Sequence, residues 1–506
     1  MKLKKVIENL VGVVKVEGKA SIEVRGVSCD SKAVKDGYLF VAVKGSRLNG
    51  RDFINEAIDR GASAVVLEEE KDSSYAFRRG VTFIYIEDAR LALPEIARAF
   101  YGDVSSAMQL IGITGTNGKT TAAYLIESLF KSKNKKTGVI GTVNYRFGSR
   151  LIPAFNTTPG ILDLYSLLSS MKKQKIRNCI LEVSSHSLEQ GRVDSLSFDI
   201  AIFTNLTSEH MDYHETIENY LSSKLKLFTK IKHGGSAIVN RDDACSEKII
   251  ERVRSMKSAN VITYGIGKDV DVRAMDISYS FKGLKFKLLV EAKPRPLLIT
   301  GRGFASTIDI ESRLIGRHNV YNILASAACG IAMGMTLEDI AQGIEKLTEL
   351  PGRLETIDCG QDFSVFVDYA HTENGMENVL LALKELNPKR ILTVFGCGGG
   401  RDRSKRPDMG RVCSEFSDRV FITSDNPRNE EPMDIINEII KGIPPKKNNY
   451  EIEADRFKAI EAALKEAQRG DIVLVAGKGH ETYQIFKNTT LPFDDREAVK
   501  KILKER

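Results

Sequence analysis

A glycine-rich stretch that ends in Gly-Lys-Thr carries the clearest chemistry in this sequence. Residues 112–121 read Gly-Ile-Thr-Gly-Thr-Asn-Gly-Lys-Thr-Thr, between a short apolar run and a segment whose apolar residues recur at helical spacing. A strand, a tight turn and a helix start form a cradle for nucleotide phosphates, in which Lys119 reaches the outer phosphates and Thr120 ligates Mg²⁺. The common template has glycine where Ile113 stands, so the loop is a variant of it. The alternative is a chance glycine-rich turn with a solvated lysine.

Two polar segments that follow apolar runs supply candidate metal ligands. Glu182 comes at the end of one predicted strand, and a carboxylate there, near a phosphate loop, suits Mg²⁺. His210 follows another predicted strand, at 200–203, and is a candidate ligand for a second metal ion. The alternative for His210 is a structural role, which is the commoner one for an isolated histidine.

Lys224 lies within an apolar stripe on the next predicted helix, which includes Tyr220, Leu221 and Phe228. In one interpretation the lysine extends along the apolar surface until its ammonium reaches water. In the other, burial lowers its pKa, and the neutral amine captures CO₂ as a carbamate, an anionic oxygen ligand for Mg²⁺. The residues alone leave both interpretations open.

The elements that must position these side chains alternate between short apolar strands and helices. At 506 residues the chain is too long for one core, and three α/β domains are predicted. They are a small N-terminal domain at 1–105, a central domain with the phosphate loop at 106–350, and a doubly wound, Rossmann-like domain at 351–506. Because such sheets bind ligands beyond the carboxyl ends of their strands, we predict binding loops in the third domain. These loops are residues 396–406, 423–432 and 477–481.

Composition and charge exclude several classes of protein. The 74 basic and 67 acidic residues give a formal charge of +7, a mild surplus, and no basic stripe or aromatic stacking motif indicates nucleic-acid binding. No apolar stretch is long enough to span a membrane, and residues 1–6 lack the features of a signal peptide. Seven scattered cysteines without a Cys-x-x-Cys pair indicate a reducing cytoplasm rather than disulfides or a zinc site. We expect a cytoplasmic monomer whose partners are small molecules.

Short motifs recur along the whole chain in a characteristic order. They lie at 30–32 with 37–42, and at 115–121, 156–159, 182–186, 220–228, 316–322, 351–353, 368–372, 396–407, 425–428 and 477–481. Each motif is weak evidence alone, but their order makes them strong together. The chain resembles the Mur ligase family, the ATP-dependent amino-acid ligases of peptidoglycan precursor synthesis. Within the family it most resembles the members that add a diamino acid to UDP-N-acetylmuramoyl-L-alanyl-D-glutamate.

The resemblance implies a reaction in two steps. ATP phosphorylates the free carboxylate of the D-glutamate, and the amine of the incoming amino acid then displaces phosphate from the acyl phosphate. The implied cofactors are ATP, two Mg²⁺ ions and a carbamylated Lys224. The implied architecture is a uridine-binding first domain, a central ATPase domain, and a third domain that closes over the nucleotide and binds the amino acid.

The resemblance also implies roles for individual residues. The implied catalytic residues are Lys119, Lys224, His210 and Glu182, and the metal ligands are Thr120, Glu182, His210 and the carbamate of Lys224. The implied ATP contacts are Gly115, Thr116, Asn117, Gly118, Lys119, Thr120, Thr121, Asn319, Arg353 and Asp368. The implied contacts to the UDP-substrate are Asp30, Ser31, Thr157, Thr158, Ser184, Gln190 and Arg192. The implied contacts to the amino acid are Arg401, Asp425, Asn426, Arg428, Gly477 and Glu481.

Arg428 indicates which amino acid is added. A guanidinium pairs bidentately with a carboxylate, and meso-diaminopimelate carries a carboxylate at its far end, whereas L-lysine has only an ammonium there. Binding of lysine would leave a desolvated guanidinium unpaired, which costs a few kcal/mol. The Asn-Pro-Arg arrangement is also the family's diaminopimelate signature. The alternative for Arg428 is a surface turn residue.

Four positions depart from the family pattern. Glu209 stands where aspartate is usual, Ser223 where alanine precedes the lysine, His318 where an aromatic residue is common, and Gly400 where aspartate or asparagine is frequent. None of them removes a residue assigned to chemistry, although Gly400 adjoins the amino-acid site. The rival functions are a lysine-adding ligase, a folylpolyglutamate synthetase-like ligase, and a phosphate-loop binding protein without ligase chemistry.

Overall fold

The computed structural model of the chain describes residues 1–45, 48–68, 80–291 and 305–506. Three mixed β-sheets, each flanked by helices, follow one another along the chain, and a two-stranded hairpin lies near the C-terminus. The prediction of an α/β protein with three domains is therefore confirmed. The domain boundaries after residues 105 and 350 stay predictions.

The first sheet has five strands, in the spatial order β1-β5-β4-β3-β2, and only the β1–β5 pair is antiparallel. Its strands are β1 (Val13–Glu17), β2 (Gly26–Ser28), β3 (Tyr38–Val41), β4 (Ala62–Glu68) and β5 (Thr82–Ile86). Its helices are α1 (Leu3–Ile7), α2 (Ile54–Asp59) and α3 (Ala89–Tyr101), with two short 3₁₀ helices at Ser31–Ala33 and Gly50–Phe53. Apolar side chains from both faces of this sheet are buried, as expected for parallel strands covered by helices.

The second sheet has eleven strands, in the order β16-β15-β14-β13-β12-β11-β6-β10-β7-β8-β9. The strands are β6 (Gln109–Thr114), β7 (Thr137–Ile140), β8 (Asn144–Phe147), β9 (Arg150–Pro153), β10 (Asn178–Glu182), β11 (Phe198–Phe203), β12 (Ile231–Asn240), β13 (Asn260–Gly265), β14 (Val272–Ser280), β15 (Gly283–Val290) and β16 (Ser306–Ser312). The helices are α4 (Lys119–Ser132), α5 (Ile161–Lys173), α6 (Ser185–Glu189), α7 (Met211–His214), α8 (Ile217–Phe228), α9 (Ser246–Met256), α10 (Arg317–Ala332) and α11 (Leu337–Glu345).

Three parallel strands at the centre of this sheet end side by side. Strand β6 lies between β10 and β11, with Glu182 opposite Ile113 and Phe203 opposite Thr114. Because the carboxyl ends of parallel strands meet at one edge, the segments that follow these strands are brought together there. That edge holds the first half of the functional site.

The third sheet has six strands, in the order β17-β18-β22-β19-β20-β21, parallel except for the short β17. The strands are β17 (Glu355–Thr356), β18 (Ser364–Asp368), β19 (Ile391–Phe395), β20 (Arg419–Ile422), β21 (Tyr450–Ile452) and β22 (Ile472–Ala476), and the hairpin is β23 (Tyr483–Phe486) with β24 (Thr489–Pro492). The helices are α12 (Glu373–Lys384), α13 (Lys405–Phe416), α14 (Pro432–Ile440), α15 (Arg456–Glu466) and α16 (Asp495–Glu505). This is the doubly wound arrangement that the sequence predicts.

A buried ion pair joins two strand ends of the third domain. The guanidinium of Arg456 is fully buried and pairs bidentately with Asp495, at 2.7 Å from Nε to Oδ1 and 2.7 Å from Nη2 to Oδ2. The same guanidinium donates to the carbonyl oxygens of Ser424, at 3.3 Å, and Ala476, at 2.9 Å. These carbonyls lie where the loops after β20 and β22 begin, so the pair fixes the two loops relative to each other.

We expect Asp495→Asn to lower the free energy of unfolding by about 3 kcal/mol or more, because it leaves a buried guanidinium without its counter-charge. Urea denaturation followed by circular dichroism measures this. The control is Glu497→Gln on the same helix, which removes an exposed carboxylate 3.0 Å from Lys500 and should change the stability by less than about 1 kcal/mol. Equal stabilities of the two variants would contradict the bracing role.

None of the helices in the described part of the chain has the length and apolar character needed to cross a membrane.

Candidate active site

The phosphate loop (residues 115–121) connects β6 to α4 with two glycines in left-handed conformation. Gly115 has a φ of 148° and Gly118 a φ of 88°. A Cβ at Gly115 would lie 1.9 Å from Thr204 Oγ1, and one at Gly118 would lie 2.3 Å from Asn322 Oδ1. Both positions therefore require glycine on conformational and steric grounds. Gly112, by contrast, lies within β6, so the turn itself begins only at Gly115.

A segment after β11 supports the loop, and the sequence did not predict this role. Thr204 Oγ1 donates to the carbonyl of Asn117 at 2.6 Å, and the backbone N–H of Asn117 donates to Asn205 Oδ1 at 2.9 Å. The N–H of Thr116 donates to the carbonyl of Asn205 at 2.8 Å. The sequence signal that could have predicted this supporting role is the run of polar residues directly after a buried strand. The loop is thus held in shape by protein contacts, with its conformation prepared for an anion.

Lys119 begins α4 and folds back over the loop. Its Nζ donates to the carbonyls of Gly115, at 2.8 Å, and Thr116, at 2.7 Å. Burial lowers the pKa of Lys119, while the carboxylates of Glu209 and Glu182 act in the opposite direction. The ammonium therefore lies at the loop where the outer phosphates of a nucleotide would sit.

Oxygen ligands suited to Mg²⁺ meet beside the loop. Thr120 Oγ1 donates to Glu182 Oε2 at 2.8 Å, and both side chains are buried. Thr142, which the sequence did not predict, donates to Glu182 twice: its Oγ1 to Oε2 at 2.9 Å and its N–H to Oε1 at 3.2 Å. The described residues hold no cluster of three or more His, Cys, Asp or Glu side chains with metal-binding geometry. A hydroxyl and a carboxylate beside a phosphate cradle nevertheless fit Mg²⁺, which takes few protein ligands and completes its shell with phosphate oxygens and water.

His210 lies on the other side of the loop, in a group of aromatic side chains. It adopts the left-handed conformation, with φ 59°, at the start of α7, and its Nε2 is 3.8 Å from Glu209 Oε1. Its ring is 4.7 Å from the ring of His186 and 6.3 Å from that of Tyr220, centroid to centroid. The His210 side chain is partly exposed. Burial raises the pKa of the neighbouring Glu209, but the charges of His210 and Lys119 outweigh this effect and lower it.

Lys224 is almost completely buried on α8, which decides against the interpretation in which its ammonium reaches water. Its Nζ lies 4.1 Å from the centroid of the Tyr220 ring. Burial lowers the pKa of Lys224 well below its ordinary value, and the nearby charge of Lys119 lowers it further. Among the described residues no hydrogen bond or ion pair satisfies this nitrogen. The Glu209 carboxylate opposes this lowering. A buried amine whose pKa is lowered in this way is a candidate nucleophile.

Helix α10 packs against the phosphate loop through Asn322. Asn319 donates from Nδ2 to the carbonyl of Ile315 at 2.7 Å and accepts from Asn322 Nδ2 at 2.9 Å. Asn322 in turn lies against Gly118. The structure therefore places the predicted nucleotide residue Asn319 directly behind Asn322 and the loop, with both asparagine side chains buried.

Two further predicted nucleotide residues are Arg353, in the linker between α11 and β17 (residues 346–354), and Asp368, in the third sheet. Asp368, at the end of β18, accepts from the N–H groups of Leu354, at 2.6 Å, and Ala370, at 2.7 Å. Burial raises the pKa of Asp368, and the charge of Arg353 opposes this. The guanidinium carbon of Arg353 lies 5.0 Å from the centroid of the Tyr369 ring, and its buried Nε has no hydrogen-bond partner among the described residues.

The linker also contacts one of the predicted amino-acid loops. Gly352 has a φ of 63°, and a Cβ there would lie 2.3 Å from the backbone nitrogen of His480. The ring centroid of His480 lies 5.0 Å from that of Tyr369, and in the part of the chain that the structure describes its buried Nδ1 has no hydrogen-bond partner. The nucleotide side and the amino-acid side of the third domain are thus in direct contact.

Two half-buried histidines near Arg353 are expected to lower the stability of the fold in acid. Burial, reinforced by the charge of Arg353, lowers the pKa of both His318 and His480 to about 4. Between pH 6.5 and pH 4 the unfolded chain takes up protons that the folded chain does not, so the free energy of unfolding falls as the pH falls through this window. Each histidine contributes at most about 1.4 kcal/mol per pH unit. Denaturation of the wild type and His480→Gln at several pH values measures this, and parallel curves would contradict it.

One hydrogen bond joins the phosphate loop to the third domain. Asn117 Nδ2 donates to Asn374 Oδ1 at 3.1 Å, and Asn378 Nδ2 donates to the same oxygen at 3.0 Å. Asn374 lies in the first turn of α12, next to the segment 368–372. The third domain therefore contacts the phosphate loop directly.

Two loops of the third domain bring four predicted amino-acid residues together. The arginine loop (residues 425–428) contains Asp425, Asn426 and Arg428, and Arg428 Nη1 donates to the carbonyl of Gly399 at 2.7 Å. A Cβ at Gly398 would lie 2.9 Å from that nitrogen and 3.9 Å from Arg401 Cγ, so both arginine side chains lie close to Gly398. Arg428 is half-buried, with φ 51°, and its binding role stays a prediction.

The glutamate loop (residues 477–481) lies against the arginine loop. Asn426 Nδ2 donates to Glu481 Oε2 at 2.8 Å, and a Cβ at Gly477 would lie 2.8 Å from Asp425 Oδ2. The hairpin that follows braces the arginine loop: Gln484 Nε2 donates to the carbonyl of Asp425 at 2.9 Å, and the N–H of Ile485 to Asn426 Oδ1 at 3.0 Å. The sequence predicted neither Gln484 nor Ile485 as part of the site. Asn426 thus contacts both the carboxylate of Glu481 and, through its carbonyl oxygen at 3.5 Å, the guanidinium of Arg428.

Most of the residues predicted to hold the UDP-substrate lie around the end of β10. Arg192 donates to the carbonyl of Thr158 at 2.7 Å and to Gln190 Oε1 at 2.6 Å, and Thr157 Oγ1 is 3.0 Å from Thr142 Oγ1. Thr158 is buried, and its hydroxyl donates to the carbonyl of Glu182 and accepts from the N–H of Ser184. Thr158 therefore fixes the backbone between the metal-ligand candidate and Ser184. Its contact with substrate stays a prediction.

Asp30 and Ser31 lie apart, in the first domain. Asp30 Oδ1 caps a 3₁₀ helix by accepting from the N–H of Lys32, and Ser31 Oγ donates to Glu56 Oε2 at 2.7 Å. No hydrogen bond or ion pair among the described residues links them to the group around β10. The nearest link is electrostatic: burial raises the pKa of Asp163 on α5, and the Asp30 carboxylate raises it further.

All seven cysteines are free thiols, and Cys397 is buried. Burial raises the pKa of Cys397 to about 12, so this thiol does not act as a nucleophile.

Domain models and known proteins match this chain over almost its full length. The models are the Mur ligase family catalytic domain at residues 23–101, the Mur ligase middle domain at 113–330, and the Mur ligase glutamate ligase domain at 352–479. A UDP-N-acetylmuramoyl-L-alanyl-D-glutamate–2,6-diaminopimelate ligase of Caldanaerobacter subterraneus subsp. tengcongensis is 42% identical over 490 residues, which are 97% of this chain and 97% of the relative.

Solved structures show the same similarity. A UDP-N-acetylmuramoyl-L-alanyl-D-glutamate–2,6-diaminopimelate ligase matches with a TM-score of 0.68 and 31% identity, covering 100% of this chain and 99% of its own. Folylpolyglutamate synthase of Mycobacterium tuberculosis, complexed with ADP and AMPPCP, matches with a TM-score of 0.60 and 17% identity, covering 75% of this chain and 91% of its own. At that identity the second similarity concerns the fold alone.

Proposed function

The chain belongs to the Mur ligase family, and on that premise we propose that it joins meso-diaminopimelate to UDP-N-acetylmuramoyl-L-alanyl-D-glutamate with conversion of ATP to ADP and phosphate. The observation that carries the choice of amino acid is the pocket in which Arg428 and Glu481 lie on either side of Asn426. A guanidinium and a carboxylate together match the distal carboxylate and ammonium of diaminopimelate.

The first step transfers the γ-phosphoryl group of ATP to the free carboxylate of the D-glutamate. A bond forms between a carboxylate oxygen and the γ-phosphorus, the bond between that phosphorus and the bridging oxygen breaks, and ADP leaves. The N–H groups of the phosphate loop and Lys119 neutralise the transferred charge. To reach the phosphates, the Lys119 ammonium must exchange the carbonyls of Gly115 and Thr116 for phosphate oxygens.

Thr120 and Glu182 are the proposed ligands of the first Mg²⁺, and His210 with a carbamylated Lys224 those of the second. Bound Mg²⁺ supplies charge neutralisation at the phosphates. The environment of Lys224 supports the carbamate: its amine is buried beside the cation of Lys119, and conversion to an anion replaces repulsion by attraction. Asn319, Arg353 and Asp368 are the proposed further contacts to ATP, together with Thr116, Asn117 and Thr121.

In the second step the amine of diaminopimelate attacks the carbonyl carbon of the acyl phosphate. The tetrahedral intermediate expels phosphate, the amine loses a proton, and a peptide bond remains. The hydrogen bond from Asn117 to Asn374 brings the third domain to the phosphate loop, where it shields the acyl phosphate from water. Arg401, Asp425, Arg428, Gly477 and Glu481 orient the amino acid, and Asp30, Ser31, Thr157, Ser184, Gln190 and Arg192 hold the UDP-substrate.

A phosphate-release assay with the UDP-dipeptide and a panel of amino acids tests this function. We expect phosphate release to require both substrates, with a kcat/KM for meso-diaminopimelate at least about 10²-fold above that for L-lysine. Equal efficiency with L-lysine would assign the lysine-adding activity instead. Release that requires a folate and glutamate would assign the folylpolyglutamate activity, and ATP binding without turnover would indicate a regulatory protein.

The proposed substrates are water-soluble small molecules, and we propose that the enzyme acts on them as a monomer in the cytoplasm, without a nucleic-acid partner.

A further inference from the structure

Lys478 is a buried cation between the arginine loop and the glutamate loop, and none of the steps above uses it. Its side chain is completely buried. Nζ donates to Glu481 Oε2 at 3.0 Å and to Asn426 Oδ1 at 3.4 Å, and it lies 5.5 Å from the centroid of the Tyr483 ring. A buried ammonium that contacts two predicted ligand residues is well placed to act through them.

The hydrogen bonds of Lys478 make the two oxygens of Glu481 unequal. Oε2 accepts from Lys478 Nζ at 3.0 Å and from Asn426 Nδ2 at 2.8 Å. Oε1 takes no hydrogen bond from the residues that the structure describes. One oxygen is therefore fixed by the protein, and the other remains to accept from an ammonium in the pocket.

The charge of Lys478 also sets the charge balance of the pocket. Among the buried and half-buried groups, Lys478 and Arg428 supply two positive charges, and Asp425 and Glu481 supply two negative charges. Arg401 is exposed, so water and salt screen its charge. The distal centre of diaminopimelate carries one charge of each sign and is neutral overall. The far end of L-lysine carries one positive charge only. A site with balanced charges matches the neutral distal centre of diaminopimelate, whereas a site with one additional negative charge matches the ammonium of L-lysine.

We propose that Lys478 is a positioning residue that determines specificity: it orients the Glu481 carboxylate and balances its charge, so that the pocket selects a zwitterionic end over a lone ammonium. The proposal rests on the function proposed above. It concerns a residue that acts through Glu481 and Asn426 rather than one that touches the substrate.

The test compares wild type, Lys478→Met and Lys478→Gln in the phosphate-release assay with meso-diaminopimelate and with L-lysine. Both variants remove the charge, and glutamine retains a donor for Glu481. We expect the KM for meso-diaminopimelate to rise about tenfold or more, while kcat and the KM values for ATP and the UDP-dipeptide change less than about threefold. The ratio of kcat/KM for meso-diaminopimelate to that for L-lysine should fall at least about tenfold.

The control is Lys465→Met, which removes an exposed lysine of the same domain that pairs with Glu461 at 2.8 Å. Lys465→Met should have the same kcat and KM values as the wild type for every substrate in the assay. An unchanged preference in a folded Lys478 variant would overturn the proposal, and so would loss of folding in both variants, since Lys478 would then be a structural residue. A wild type that uses neither amino acid would instead overturn the proposed function.

Discussion

Replacing Lys224 by methionine is expected to lower kcat for ligation on the order of 10³-fold or more, with little loss of stability. Methionine has a similar length and no charge, so it fills the same buried space beside Tyr220 without the cost of burying an amine. What it removes is the amine that would form the anionic carbamate ligand. The measurement combines the phosphate-release assay with thermal unfolding of the same sample.

Lys226→Met is the matched control, because Lys226 lies on the same helix, is exposed, and pairs with Glu189 at 2.7 Å. It should keep full activity. Full activity of Lys224→Met, or an active wild type whose intact mass shows no added CO₂ on Lys224, would contradict the carbamate. An equal loss of activity and of folding would indicate that Lys224 has only a structural role.

Replacing Arg428 by methionine is expected to lower kcat/KM for meso-diaminopimelate by about 10²-fold to 10³-fold and to leave the low activity with L-lysine unchanged or raised. The variant loses the group that pairs with the distal carboxylate, and it also removes the guanidinium that lysine would leave unpaired. The hydrogen bond from Nη1 to the carbonyl of Gly399 is lost as well. Because that carbonyl is next to Arg401, part of the effect comes through the position of Arg401.

Arg469→Met, at an exposed position of the same domain, is the control for loss of an arginine. Arg469→Met should leave kcat/KM for meso-diaminopimelate and for L-lysine unchanged. The assignment of Arg428 is wrong if Arg428→Met and Arg469→Met discriminate between the two amino acids to the same extent.

The sequence predicted the elements best where hydrophobic pattern and turn chemistry agree. The apolar run at 391–395 predicts a strand with the same bounds as β19, and the apolar run at 108–113 predicts a strand that differs from β6 by one residue at each end. Such agreement arises because a continuous apolar run between polar loops has few other ways to be buried. Whether Lys224 is buried or exposed could not be predicted, because the sequence pattern around it allows both. A lysine in an apolar stripe is buried or exposed according to what packs over it, and that is a property of the tertiary structure.

The supporting residues of the site could not be predicted in the same way. Thr204 and Thr142 contact Asn117 and Glu182 across 87 and 40 residues of sequence. Threonine is frequent in strands and turns, so neither residue stands out until the strand order places β6, β10 and β11 side by side. Lys478 was visible within a motif, but its burial and its bond to Glu481 follow only from the contact between two loops. Motifs therefore predicted the residues that are expected to contact ligands. The residues that support those side chains follow only from the tertiary structure.

The contact between Gly352 and His480 limits how this enzyme can be redesigned. A change of amino-acid specificity by grafting a foreign segment over 477–481 would alter the surface against which the interdomain linker packs, at a point where even a methyl group has no room. The graft would then disturb the nucleotide half of the site through Arg353 and Asp368. Successful chimeras should exchange the linker and the loop as one unit.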